Sequence, residues 1–171
     1  SASGYDKGDL SVDRFMACDW RGRPFERHRS DVPSTDARLH GGLYAECEAI
    51  GAIYHVHHLE ATLCSRHASR TDATAFRDLE MIKAFGLDPA DGESLVVPTV
   101  DDASDRDDLA DRVLEAIDTS TPDDLPRTPG VNVREHGLYV WGRSPEEAKR
   151  HVEGLAYLFE HRWECISATG I

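Results

Sequence analysis

His55 and His57 stand one residue apart in the run Tyr-His-Val-His-His, which closes an apolar stretch, Ile-Gly-Ala-Ile, that reads as a strand. Side chains alternate faces along a strand, so the two imidazoles point the same way and Val56 points to the other side. Neutral imidazole is the commonest protein ligand for zinc and related divalent ions, and a catalytic zinc site takes three protein ligands and leaves one position open. An H-x-H pair alone is as compatible with packing as with metal. A third candidate tips the balance: His136 lies in Val-Arg-Glu-His-Gly-Leu-Tyr-Val-Trp-Gly, at what reads as the centre of a second strand. His58 faces away from His57 by the same alternation and stays outside the set.

A second group of residues has the chemistry to hold an anion. Pro33-Ser34-Thr35-Asp36 places two hydroxyls and free backbone N–H groups at a predicted helix start, a favourable seat for a phosphate. Ser3 and Gly4, in a turn with Lys7 close by, add donors and a positive charge. Taken alone these are ordinary caps and turns. Asp36 is either a carboxylate at the positive end of a helix dipole or a catalytic group.

The elements that must position these residues follow from periodicity and punctuation. Phe15 to Glu26 reads as a hairpin around Trp-Arg-Gly-Arg. A helix begins after Ser34 or Thr35 and runs to about Glu48, its Gly41-Gly42 pair pointing to close backbone packing. The histidine strand spans 50 to 57, a helix follows over 59–67, and a short helical segment over 78–85 stops at Gly86. Leu-Val-Val-Pro-Thr-Val marks a strand over 94–100, with Pro98 arguing for an edge or a bulge. Ser104 caps a helix carrying Leu109, Val113 and Ile117. Residues 121–129 form a proline-rich surface loop. A single strand is expected over 131–141, with Tyr139 and Trp141 packing within it. Ser144-Pro145-Glu146-Glu147 is a capping box opening a last helix with Ala148, Val152, Leu155 and Phe159 as its core stripe.

Composition narrows the classes of function. The 171 residues, 40% of them apolar, suit one domain with a sizeable core. No apolar run approaches the ~20 residues that span a bilayer, and the expectation is a cytoplasmic protein. A net charge of −13 repels phosphate backbones and anionic membranes, which argues against nucleic acid and membrane partners. Cys18, Cys47, Cys64 and Cys165 show no C-x-x-C spacing and read as reduced, mostly packed thiols.

The motifs PSTDARLH, GAIYHVHHLEAT, LEMIKAF and PGVNVREHGLYVWGRSPEEAKRHVEGLAYLFE resemble, in order and spacing, the class II aldolase and adducin-head superfamily. The resemblance implies one three-layer α/β/α domain over 1–171 with a mainly antiparallel central sheet, lacking a helix and strand that precede the Ser-Ala-Ser-Gly turn in relatives. It makes His55, His57 and His136 ligands of one zinc ion per subunit. Within the superfamily the chain is most similar to a branch of lyases that dehydrate a methylthio-bearing ketose phosphate in methionine salvage. There Glu80, in Glu-Met-Ile-Lys-Ala, matches the acid/base, and Ser3, Gly4, Ser34 and Thr35 fall where relatives hold the phosphate. Asp36 and His58 depart from the pattern, replacing the usual glutamate and the usual serine or alanine. The alternatives are a sugar-phosphate aldolase or epimerase with Asp36 as acid/base, and a non-catalytic adducin-like module. A homotetramer with sites near subunit boundaries is the expected assembly.

Overall fold

The structure is a computed structural model, and it describes residues 11, 15–26, 30, 32–67, 72–117 and 123–169. Among the described residues four α-helices, α1 (Ala37–Glu46), α2 (Leu59–His67), α3 (Arg106–Glu115) and α4 (Pro145–Thr169), cover five strands. The strands are β1 (Ala52–Val56), β2 (Ala73–Arg77), β3 (Ser94–Val100), β4 (Gly130–Val133) and β5 (Gly137–Gly142), ordered β1-β5-β4-β3-β2. Only the β3–β4 pair is parallel.

Alternation along β5 divides the core in two. Tyr139 and Trp141 join Val131, Val133 and Ile53 under the apolar faces of α1 and α3, through Leu39, Leu43, Leu109 and Val113. Leu138 and Val140 face the other way, with Leu95, Val97 and Phe76, and pack on α2 and α4 through Ala61, Cys64, Leu155, Leu158 and Phe159. This is the expected three-layer arrangement. The last helix begins as a capping box: Ser144 Oγ accepts from the Glu147 N–H at 3.2 Å, while the Glu147 carboxylate reaches back to the Arg143 N–H at 2.6 Å. Its predicted stripe is buried at Ala148, Leu155 and Phe159, with Val152 at the margin.

Several local expectations are corrected. The segment 131–141 is a hairpin, not one strand: Glu135 takes φ 56 and the His136 N–H donates to the Val133 carbonyl, so Arg134–His136 form the turn between β4 and β5. Ser65 stabilises that turn, its Oγ accepting from the Glu135 N–H at 3.0 Å. Strand β3 is interior, not an edge. The Thr99 N–H donates to the Asp72 carbonyl on the β2 side, so the Pro98 nitrogen faces β4, and pairing with β4 begins only at Thr99. Strand β2 was not anticipated, because Ala-Thr-Ala-Phe-Arg carries only two buried side chains, Thr74 and Phe76. The cap of α3 is Asp105, one residue later than Ser104, and its side chain accepts from the Asp107 N–H. The 15–26 hairpin reduces to one bridge, Cys18 to Pro24, closed by Asp19, which accepts from the N–H groups of Arg21 and Arg23. This loop lies directly on α1: a Cβ at Gly41 would fall 2.1 Å from the Trp20 carbonyl oxygen, which explains the glycine. All four cysteines are free, Cys47 and Cys64 buried and Cys165 exposed.

Candidate metal centre

The histidines converge at one end of the sheet. Strand β1 ends there at Val56, opposite Leu138 at the start of β5, so His57 and His136 extend from adjacent strand ends. Gly137 lets the two segments close up, since a Cβ there would lie 2.5 Å from the Val56 carbonyl oxygen. The ligand atoms of His55, His57 and His136 all lie within 4.8 Å of one another, and His55 Nε2 is 3.0 Å from His57 Nε2. Three nitrogens on a tetrahedral zinc at ~2.0–2.1 Å stand roughly 3.3 Å apart, so adjustments of about an ångström complete the site.

The hydrogen-bond partners fix which nitrogen is available on two of the rings, His55 and His136. His55 Nδ1 sits 3.1 Å from the Leu138 carbonyl oxygen, which only accepts, so Nδ1 carries the proton and Nε2 presents a lone pair. His136 Nδ1 sits 3.1 Å from Asp102 Oδ2 and is fixed the same way. Asp102 is itself held by Arg106 Nη1 at 3.3 Å. A carboxylate or carbonyl behind an imidazole is the usual arrangement for orienting a metal ligand. The donor set therefore fits a divalent ion. His58 lies outside the cluster, as expected, with its carbonyl accepting from the Thr62 N–H in α2.

Behind His55 lies a second group. Tyr139 is the register partner of His55 across β1 and β5, and the two rings stack at 4.1 Å with 14° between planes. The Tyr139 hydroxyl donates to Asp36 Oδ1 at 2.8 Å, and Ser34 Oγ donates to Asp36 Oδ2 at 3.0 Å. Burial alone would raise the Asp36 pKa. The Tyr139 hydrogen bond, the adjacent His55 and the Ser34 hydroxyl outweigh it and hold the carboxyl below its ordinary value. Burial, then Asp36, drives the Tyr139 phenol upward, so it remains a donor. Burial lowers His55 against the opposing pull of Asp36 and keeps its imidazole neutral. His40 meets Tyr139 edge-on at 5.9 Å, and burial pushes its pKa down to about 4.

The other predicted residues divide. Ser34 and Asp36 stand at the N-terminus of α1, behind the histidines, where Asp36 occupies the N-cap without capping through its side chain. Thr35 is exposed beside them. Ser3, Gly4 and Lys7 lie outside the described residues. Glu80 is not brought to the histidines. It opens a 3₁₀ segment (Glu80–Phe85) ended by Gly86 in the left-handed conformation, beyond the end of β2 where Arg77 pairs with Ser94. The histidines lie beyond the other end of β3, and its seven residues put about 20 Å between the two ends. Glu80 is 79% exposed and pairs with Lys83 at 2.9 Å. Sequence reasoning missed Asp102, and it read Tyr139 only as packing. An Asp beside a strand end and a Tyr opposite a ligand histidine become visible only once the register is known.

Three imidazoles stand together on the rim of a mostly antiparallel sheet between two helical layers, a cluster able to hold a divalent metal. The chain belongs to the family described as Class II Aldolase and Adducin N-terminal domain, whose sequence profile matches residues 1–163. It is 37% identical over 170 residues to a methylthioribulose-1-phosphate dehydratase of Pseudomonas aeruginosa, covering 99% of this chain and 78% of that protein. Proteins of the same name from Serratia proteamaculans and Persephonella marina are 36% and 31% identical, over 92% and 99% of this chain and 74% of each relative. Among solved structures, the L-fuculose-1-phosphate aldolase of Thermus thermophilus superposes with a TM-score of 0.73 at 19% identity, over all of this chain and 79% of that one.

Proposed function

We propose that this chain is a zinc-dependent methylthioribulose-1-phosphate dehydratase, removing water from 5-methylthioribulose 1-phosphate to give 2,3-diketo-5-methylthiopentyl 1-phosphate in methionine salvage. The observation that carries this reading is the oriented triad of His55, His57 and His136 in a chain that aligns over 99% of its length with dehydratases. These histidines would hold the ion, which when bound supplies Lewis-acid polarisation of the substrate carbonyl. Thr35 at the start of α1, with Ser3, Gly4 and Lys7, holds the phosphate, the helix N-terminus favouring negative charge, while the Ser34 hydroxyl is engaged by Asp36.

Glu80 carries the proton between carbon and the departing C4 hydroxyl. A general acid/base works within about 3 Å of its proton, and some 20 Å of sheet separates Glu80 from the histidines of its own chain. The reading therefore requires a second copy to present its Glu80, consistent with a cytoplasmic homotetramer whose sites lie at subunit boundaries. The high exposure of Glu80, and the exposed Tyr44, Tyr54 and Leu59 near the edge strand β1, support such packing.

Mixing subunits tests this. Glu80→Gln and His57→Ala are each expected to be inactive, and co-refolding them in equal amounts is expected to restore about a quarter of the wild-type sites, those pairing intact histidines with an intact Glu80. No recovery from a verified mixed oligomer would remove Glu80 from the partner's site.

A further inference from the structure

Tyr139 has three separate constraints on one side chain. Its ring face lies on His55 at 4.1 Å, its ring stands T-shaped to that of His40, and its hydroxyl donates to Asp36 at 2.8 Å, with Ser34 engaging the second carboxylate oxygen at 3.0 Å. The side chain is fully buried. Packing alone needs no hydroxyl here, because a phenylalanine would fill the same space, and a buried phenol demands a partner. The partner is the carboxylate that this family position would otherwise offer to chemistry.

We infer that Tyr139 is a positioning residue for the metal centre, that Asp36 and Ser34 serve to lock its ring, and that Asp36 therefore does not transfer protons in this protein. Both oxygens of Asp36 are occupied by hydroxyl donors. The chain Ser34–Asp36–Tyr139 ends on the ring of His55, whose Nδ1 is held by the Leu138 carbonyl. With the ring plane set by Tyr139 and the rotation about it set by Leu138, His55 Nε2 has one direction in which to point. An untethered Tyr139 leaves the ring tilt of His55 free, and the ligand set loses its shape before any metal arrives.

This inference rests on the metal-centre reading but not on the substrate, so metal affinity is its first readout. Zinc dissociation constants are measured by competition with a chromophoric chelator for wild type, Tyr139→Phe, Asp36→Asn, Asp36→Ala and the Tyr139→Phe/Asp36→Ala double variant, with kcat and KM alongside. Asparagine keeps an acceptor for Tyr139 and a donor for Ser34, so Asp36→Asn is expected to stay within a few-fold of wild type in affinity and kcat. Asp36→Ala and Tyr139→Phe are each expected to weaken zinc binding roughly tenfold or more, with the double variant no weaker than either single one. Tyr139→Phe retains the ring and its packing, which separates loss of positioning from loss of fold. Additive losses would overturn the inference, as would zinc affinities equal to wild type in every variant. An Asp36→Asn protein that binds zinc normally but loses turnover as fully as Asp36→Ala would return Asp36 to proton transfer. Failure of all five proteins, wild type included, to bind zinc would refute the metal centre itself.

Discussion

Replacing Asp102 by alanine probes how far the ligand geometry depends on groups behind the imidazoles. Asp102 Oδ2 accepts from His136 Nδ1 at 3.1 Å, and Asp102 is itself braced by Arg106. A hydrogen bond to a charged partner contributes about 1.5–3 kcal/mol, and Asp102 is 40% exposed while His136 is 18% exposed, which places the loss at the lower end. At about 1.4 kcal/mol per decade this is roughly a tenfold weaker metal dissociation constant, within the range found when such outer partners are removed. Asp102→Asn retains an acceptor for the imidazole N–H and is expected to recover part of the loss. The assay is chelator competition at constant pH, with thermal unfolding of the metal-free protein as a control for the fold. Affinity within twofold of wild type in Asp102→Ala would refute the argument that Asp102 orients His136.

His40 sets a pH dependence of stability. Its folded pKa of about 4 lies below the unfolded value near 6.5, so the unfolded chain binds more protons between these values and stability falls as pH drops through that window. Between pH 7 and 5 the loss from this residue is about 2 kcal/mol, measurable by urea unfolding, and His40→Gln is expected to flatten the slope. Gly41→Ala should destabilise despite the ~1 kcal/mol helix propensity gained, because the new Cβ meets the Trp20 carbonyl oxygen at 2.1 Å. Displacing that loop costs about 1–3 kcal/mol, a drop of several degrees in Tm; an unchanged or raised Tm would show that the loop moves freely. Glu80→Gln removes none of the three ligand histidines and is expected to bind metal as wild type does, and chelator competition checks it.

Much of this architecture was legible from period and punctuation. Helix α2 and strand β3 fall where the pattern placed them, and the capping box at Ser144 opens α4 as read. The pair His55 and His57 followed from strand alternation alone. His136 was identified correctly as the third member of the cluster but placed on the wrong kind of element. An unbroken apolar run on either side of Arg-Glu-His concealed a turn that depends on Ser65, some seventy residues away. The same limit applies to Pro98: a proline is excluded only from the pairing it would interrupt, and its nitrogen faces β4 just before the β3–β4 pairing begins at Thr99. Tyr139 and Asp102 escaped notice because their roles arise from cross-strand register and from the adjacency of strand ends, which no local window contains.

The most direct test of the account is turnover of 5-methylthioribulose 1-phosphate by the zinc-loaded protein, with products followed by mass spectrometry and Glu80→Gln run alongside. Loss of one water from the substrate, abolished in the variant while zinc remains bound, is the predicted result. Carbon–carbon cleavage in place of dehydration, or undiminished dehydration in Glu80→Gln, would contradict it.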